Sequence, residues 1–119
     1  MIKTALSIII IVAVAFIYFG CDLGQIRKQK SMLSALVDDN VDTKTVEETL
    51  HTKFEYLDKG SPSWVRMFQQ YKEGSRLDKL IATKMQNSTT VGVTSTETML
   101  TYIFVDAKGK LRDFVVTSQ

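Results

Sequence analysis

Apolar and polar residues follow three regimes along these 119 residues. From Thr4 to Cys21 no side chain is charged. From Leu23 to Met85 apolar residues mostly recur at intervals of three and four, the spacing of one helix face. From Val91 onward they alternate or run in short continuous blocks, as strands do.

The helical regime divides at its punctuation. Leu23, Ile26, Leu33 and Val37 fall at helical spacing, so a helix or tether is expected to about Val37. A second helix is expected from Thr43–Thr45, where Thr45-Val46-Glu47-Glu48 has the form of a capping box. Val46, Leu50 and Phe54 give it one apolar stripe. Glu55 to Gly60 reads as a connection with a short extended piece at Tyr56-Leu57. Gly60-Ser61-Pro62-Ser63-Trp64 then marks a helix start, because Ser61 can cap and proline suits the first helical position. Trp64, Val65, Phe68 and Tyr71 share a face of that helix, which Gly74-Ser75 ends. Arg76 to Asn87 fits two readings: Leu77, Leu80, Ile81 and Met85 suit a helix, while Ile81, Thr83 and Met85 suit a strand.

The β regime is clearer. Met99 to Val105 forms one strand, Leu111 to Thr117 returns, and Asp106-Ala107-Lys108-Gly109 is a tight turn with Gly109 free to take positive φ. Val91 and Val93 extend the first strand or form a short one of their own. Both main strands are apolar on both faces. Helices are expected on one face, leaving the other as a candidate binding surface.

The uncharged run decides where the chain works. Its 18 residues would span about 27 Å as a helix, close to the roughly 30 Å of a bilayer core. A signal peptide with Lys3 as its positive start and an uncleaved anchor helix are both consistent with it. A buried core helix is the poorest fit, since about 98 further residues are too few to surround it. Arg27, Lys28 and Lys30 would then lie at lipid headgroups. By the positive-inside rule they favour a cytoplasmic C-terminal part. A first apolar segment in a short chain usually directs export, and export is the expectation adopted.

Composition removes several classes of function. All 13 acidic residues follow Cys21, with 14 of the 15 basic ones, leaving one net positive charge and no clustered basic face for nucleic acid. Cys21 is the only cysteine, so no intramolecular disulfide supports the fold. Asp38-Asp39-Asn40-Val41-Asp42 opens like a calcium loop, but Thr43 stands where glycine should be and Thr49 where the bidentate glutamate should be. It reads as an acidic loop before a helix. His51 has no second histidine nearby and is given no role. Among carboxylates only Glu47, Glu48 and Asp113 are candidates for a pair, and no nucleophile–base arrangement is evident. No metal, cofactor or small-molecule substrate is implied, and the protein is expected not to be an enzyme.

Cys21, directly after the run and preceded by Gly20, resembles the processing site of bacterial lipoproteins, in which the cysteine becomes the lipidated first residue. Tyr18 and Phe19 are bulkier than that pattern prefers, and Asp22 resembles the residue that retains such proteins at the inner membrane. Further on, Gly60-Ser61-Pro62-Ser63-Trp64-Val65 and Ile103-Phe104-Val105-Asp106-Ala107-Lys108-Gly109-Lys110-Leu111 resemble the helix start and hairpin of small envelope lipoproteins. The family is that of the small lipoprotein of the outer-membrane β-barrel assembly machine. The similarity covers about residues 43–118. It implies a two-helix, three-strand fold with the segment around Leu80 to Met85 as the first strand, and a non-catalytic scaffold or binding module.

The expected architecture is therefore α+β: an apolar helix over 1–21, a juxtamembrane helix or tether over 22–42, and a small domain over 43–119. In that domain two helices pack on an antiparallel sheet of about three strands ending in a C-terminal hairpin. The expected role is a membrane-tethered binding or assembly-support domain in the cell envelope, attached to the inner membrane, with another envelope protein as partner. The alternative is a single-pass accessory or immunity-type subunit acting through its anchor helix. Trp64, Tyr71, Tyr102 and Phe104 are the candidate partner-binding residues, with core packing as the competing reading for Trp64 and Tyr71. Cys21 is the candidate lipidation site.

Overall fold

The computed structural model describes residues 22–119. The apolar run, its export or anchor role and the lipidation site at Cys21 lie outside the described residues. The order is α1 (Asp22–Asp38), α2 (Thr43–Leu50), β1 (Glu55–Asp58), α3 (Pro62–Lys72), α4 (Arg76–Gln86), β2 (Thr90–Ser95), β3 (Met99–Val105) and β4 (Leu111–Ser118). The fold is α+β. Its sheet has four strands rather than three, all antiparallel, in the order β1-β2-β3-β4.

Alternation along β3 divides the core in two. Ile103 and Val105 point to one face, where they meet Ile26, Leu33 and Leu36 of α1, Val46 of α2, and Phe54. Tyr102 and Phe104 point to the other, where they meet Trp64 of α3 and Ile81 and Met85 of α4. The sheet is thus covered on both sides, and the open second face expected from the sequence is filled by α3 and α4. The reason is visible in β4, where Val116 serves the first cluster and Val115 the second. Strands that are apolar on both faces are stable only when both faces leave water.

α1 is part of this domain. Leu33 is fully buried, and Gln29 Nε2 donates to Thr101 Oγ1 at 3.4 Å while Thr98 Oγ1 donates to Gln25 Oε1 at 2.9 Å. The helix read as a tether is therefore a layer of the core. It starts beside the β2–β3 turn and ends at the opposite end of the sheet, where the Leu111 N–H donates to the Val41 carbonyl at 2.8 Å.

Local signals explain the remaining boundaries. Asp42, not Thr45, caps α2: its carboxylate accepts from the Thr45 N–H at 2.9 Å. Glu48 takes no part in a capping box. Ser61 caps α3 with Pro62 in the first turn, as the sequence suggests. Ser75 and Asp78 form a reciprocal capping box, and this turns Arg76–Gln86 into a helix. Leu80 to Met85 lie in this helix and not in the expected strand, and the first strand among the described residues is the short β1. Gly109 takes φ +77° in the β3–β4 turn, and its N–H donates to the Asp106 carbonyl. Gly92 is needed for close approach: a Cβ there would stand 2.7 Å from Ile103 Cγ1 and 2.9 Å from Tyr56 Cε1.

Candidate functional surface

The four residues singled out as partner-binding come together, but inside the molecule. Trp64, Tyr102 and Phe104 are 6%, 2% and 1% exposed, beneath α3 and α4. Tyr71 is half-buried beside them. Its hydroxyl lies 2.6 Å from that of Tyr102, with the rings edge to face at 6.0 Å. Burial, the Tyr71 hydroxyl and the negative charge of Asp78 together push the Tyr102 hydroxyl far above its ordinary pKa, so it stays a neutral hydrogen-bonding group. Trp64 stacks on Phe68 at 5.1 Å, and its indole N–H has no partner among the described residues. These side chains fill the core of one layer, and a partner could reach Trp64, Tyr102 or Phe104 only by displacing a helix.

Two of the carboxylates considered for chemistry, Glu47 and Asp113, are held by structural partners. The Glu47 carboxylate accepts from the Phe54 N–H at 2.8 Å, tying the end of α2 to β1. Asp113 pairs with Lys84. Asp106 accepts from the Lys108 and Lys110 N–H groups and from Arg112 Nε, which organises the hairpin turn. The Lys110 N–H is the main reason its pKa lies below the ordinary carboxylate value. Asp42 is lowered in the same way by the Thr45 N–H. His51 is exposed and ends α2 in a left-handed conformation at φ 52°. Among the described residues no three metal-ligating side chains converge, and no helix is long and apolar enough to cross a membrane.

One surface stands out that the sequence did not single out. α4 buries Ile81, Ala82 and Met85 but turns Leu77 and Leu80 outward, 38% and 48% exposed. At about 100° per residue, Leu80 lies opposite the buried stripe, flanked by Arg76, Lys79 and Thr83. These residues line a shallow concavity. A second depression between α3 and α4 is floored by Phe68 and Ala82 and edged by Lys72 and Lys79, with the Lys72 ammonium 6.0 Å from the Phe68 ring. The signal was present in the order Arg-Leu-Asp-Lys-Leu, but it is meaningful only once the segment is known to be a helix and its buried side is known.

No protein-family model, no curated protein and no solved structure matches the chain.

Proposed function

We propose that the chain is a membrane-tethered, non-enzymatic domain of the cell envelope that binds or supports a partner held at the same membrane. The observation that carries this reading is the direct junction between two parts. The uncharged run ends at Cys21, and α1 starts at Asp22 with no linker between them. Because Gln25 is bonded and Ile26 packed into the sheet, only Asp22, Leu23 and Gly24 separate the uncharged run from the packed domain in sequence. So short a separation suits a domain that acts close to the bilayer. The engagement of Glu47, Asp106 and Asp113 in structural bonds favours binding over turnover.

The test is capture of the partner from native membranes by cross-linking the full chain in cells. Replacing residues 2–21 with an unrelated anchor should leave the partner bound to the domain. Loss of the partner after that exchange would favour the alternative, action through the anchor itself. The mass of the mature protein is the companion measurement. A chain starting at an acylated Cys21 makes the tether a lipid, and one that keeps Met1 makes it a helix.

A further inference from the structure

We infer that the outer face of α4, formed by Arg76, Leu77, Lys79 and Leu80 with Lys72 from the end of α3, docks on the anionic headgroups of the membrane that tethers the chain. The inference rests on the tethered reading above, and it names the surface that the domain turns toward the bilayer.

Position is the first support. α1 begins at the β2–β3 turn, where Thr98 bonds Gln25. α4 runs in the same direction along the other face of the sheet. Its start follows the end of α3, where the Tyr71 hydroxyl meets that of Tyr102 at the middle of β3. Its last turn reaches the far end, where Lys84 meets Asp113 and Thr89 bonds Val105. The start of α4, which carries Arg76, Leu77, Lys79 and Leu80, is therefore nearer than its last turn to the end of the sheet at which α1 begins. Arg27, Lys28 and Lys30 of α1 belong to that half as well.

Charge is the second support. From Pro62 to Gln86 there are five basic residues, of which Lys84 is paired with Asp113, against two acidic ones, Glu73 and Asp78. From Asp38 to Lys59, the acidic loop with α2 and β1, seven acidic residues stand against three lysines. The domain is thus electrically lopsided, with its α3–α4 side suited to an anionic surface. Glu97 in the β2–β3 turn is an acidic exception at the joining end. The two exposed leucines between the cations complete the pattern of a helix that lies in the headgroup region, apolar side chains inserted and basic ones at the phosphates.

The experiment uses the full chain with Cys21 unchanged and a nitroxide coupled to an azide-bearing residue introduced in place of Leu80, or in place of Ala107 in the distal hairpin turn as a reference. The chain is reconstituted in lipid nanodiscs of phosphatidylcholine alone or with added phosphatidylglycerol. Retention in the discs at high pH reports the tether. Relaxation by oxygen against a water-soluble nickel chelate reports the surroundings of each label. Position 80 is expected to lose nickel accessibility in anionic discs while position 107 does not. Arg76→Gln with Lys79→Gln should then weaken docking by about fivefold per charge removed. Raised salt should weaken it as well. A chain that leaves the discs at high pH overturns the tether, and this inference with it. A chain that stays while position 80 remains as open to nickel as position 107 overturns the docking surface alone. Spin–spin broadening at position 80 that disappears on dilution with unlabelled chain, without loss of nickel accessibility, overturns it in favour of a second copy.

Discussion

The two helical layers cover the same sheet by different means. The α1–α2 layer is mostly aliphatic: Ile26, Leu33, Leu36 and Val46 close over Ile103, Val105, Leu111 and Val116. It is pinned at one end by amide–hydroxyl bonds from Gln25 and Gln29 and at the other by the Leu111–Val41 backbone bond. The α3–α4 layer is aromatic, with Trp64, Phe68, Tyr71, Tyr102 and Phe104 around Ile81 and Met85. Its helices are each capped by a serine and pack both on one another and on the sheet. The first layer is joined by its sequence to the apolar run. The second is a capped helical pair whose outer side keeps exposed leucines and an excess of positive charge. Core construction and surface display are thus separated between the two, and substitutions should separate them too.

The largest effects should come from the two cores. Leu33→Ala in α1 should cost about 2–5 kcal/mol and Phe104→Ala about 3–5 kcal/mol, by lost burial and the cavity left behind. Denaturant unfolding of the full chain in mild detergent, followed by Trp64 fluorescence, reads both. The α1 value is the sharper test. If Leu33→Ala left the midpoint unchanged, α1 would be a tether and not a layer.

Legibility in the sequence followed the same division. The β3–β4 hairpin was readable because Gly109 sits where the turn needs positive φ and the flanking strands show their apolar content. The start of α3 was readable from Ser61-Pro62, a chemical signal that needs no tertiary context. α1 was readable as a helix or tether to about Val37 but not as a layer of the core, because its apolar positions continue from the uncharged run and could be assigned to the core only by knowing the β3 and β4 residues they meet. β1 has four residues with mostly exposed side chains, so it exists through its pairing with β2 and not through a pattern of its own. α4 was ambiguous by periodicity, although Ser75 and Asp78 at the spacing of a capping box carried the answer. At α2 the same kind of signal misled, since Asp42 lies three residues before Thr45 and wins the cap. The buried roles of Tyr102 and Phe104 required knowing that helices cover both faces of the sheet.

Gly92 probes where the sheet faces α1 and α2. Gly92→Ala should cost about 1–3 kcal/mol, because the new methyl meets Ile103, which is fully buried and cannot retreat. Tyr56, 36% exposed at the edge strand, can move aside. The double variant with Tyr56→Ala should therefore recover little. Full recovery would show that the edge strand, not the central one, sets the constraint.

On the aromatic side, Tyr71→Phe should cost about 1–3 kcal/mol by leaving the Tyr102 hydroxyl buried and unpaired, and Tyr71→Phe with Tyr102→Phe should cost less than the single change. Equal losses for the two would mean that water already serves the Tyr102 hydroxyl.

Titration separates the domain differently, because the groups involved sit at its rims. Tyr56 is pushed up to about 12, first by burial and then by Glu47. Its contribution is fully present below pH 10.0, its ordinary value, and is lost as pH rises toward 12. Asp42 and Asp106 are lowered from 3.8, so their contribution is present above that pH and lost as pH falls through their folded values. Stability against pH should show a plateau bounded by these two limbs. Tyr56→Phe should reduce the alkaline limb, which the buried Tyr102 shares, and leave the acid limb unchanged; Asp106→Asn should reduce the acid limb, which Asp42 shares, and leave the alkaline limb unchanged. A change in the opposite limb would mean that other groups govern it.

The smallest effect is expected between neighbours in α4. Leu80 and Ile81 are adjacent in sequence, yet one is 48% exposed and the other 1%. Leu80→Ser should shift stability by no more than about 0.5 kcal/mol, as surface changes do, whereas Ile81→Ala should cost about 2–5 kcal/mol. The comparison is internal to one helical turn, and helix propensity works against the expected order, since Leu→Ser lowers it and Ile→Ala raises it. Equal costs at the two positions would mean that α4 is rotated about its axis and that its leucines belong to the core. A near-zero cost at Leu80 would instead show that folding makes no use of a large apolar side chain held among cations. Its place would then be explained by what the surface meets.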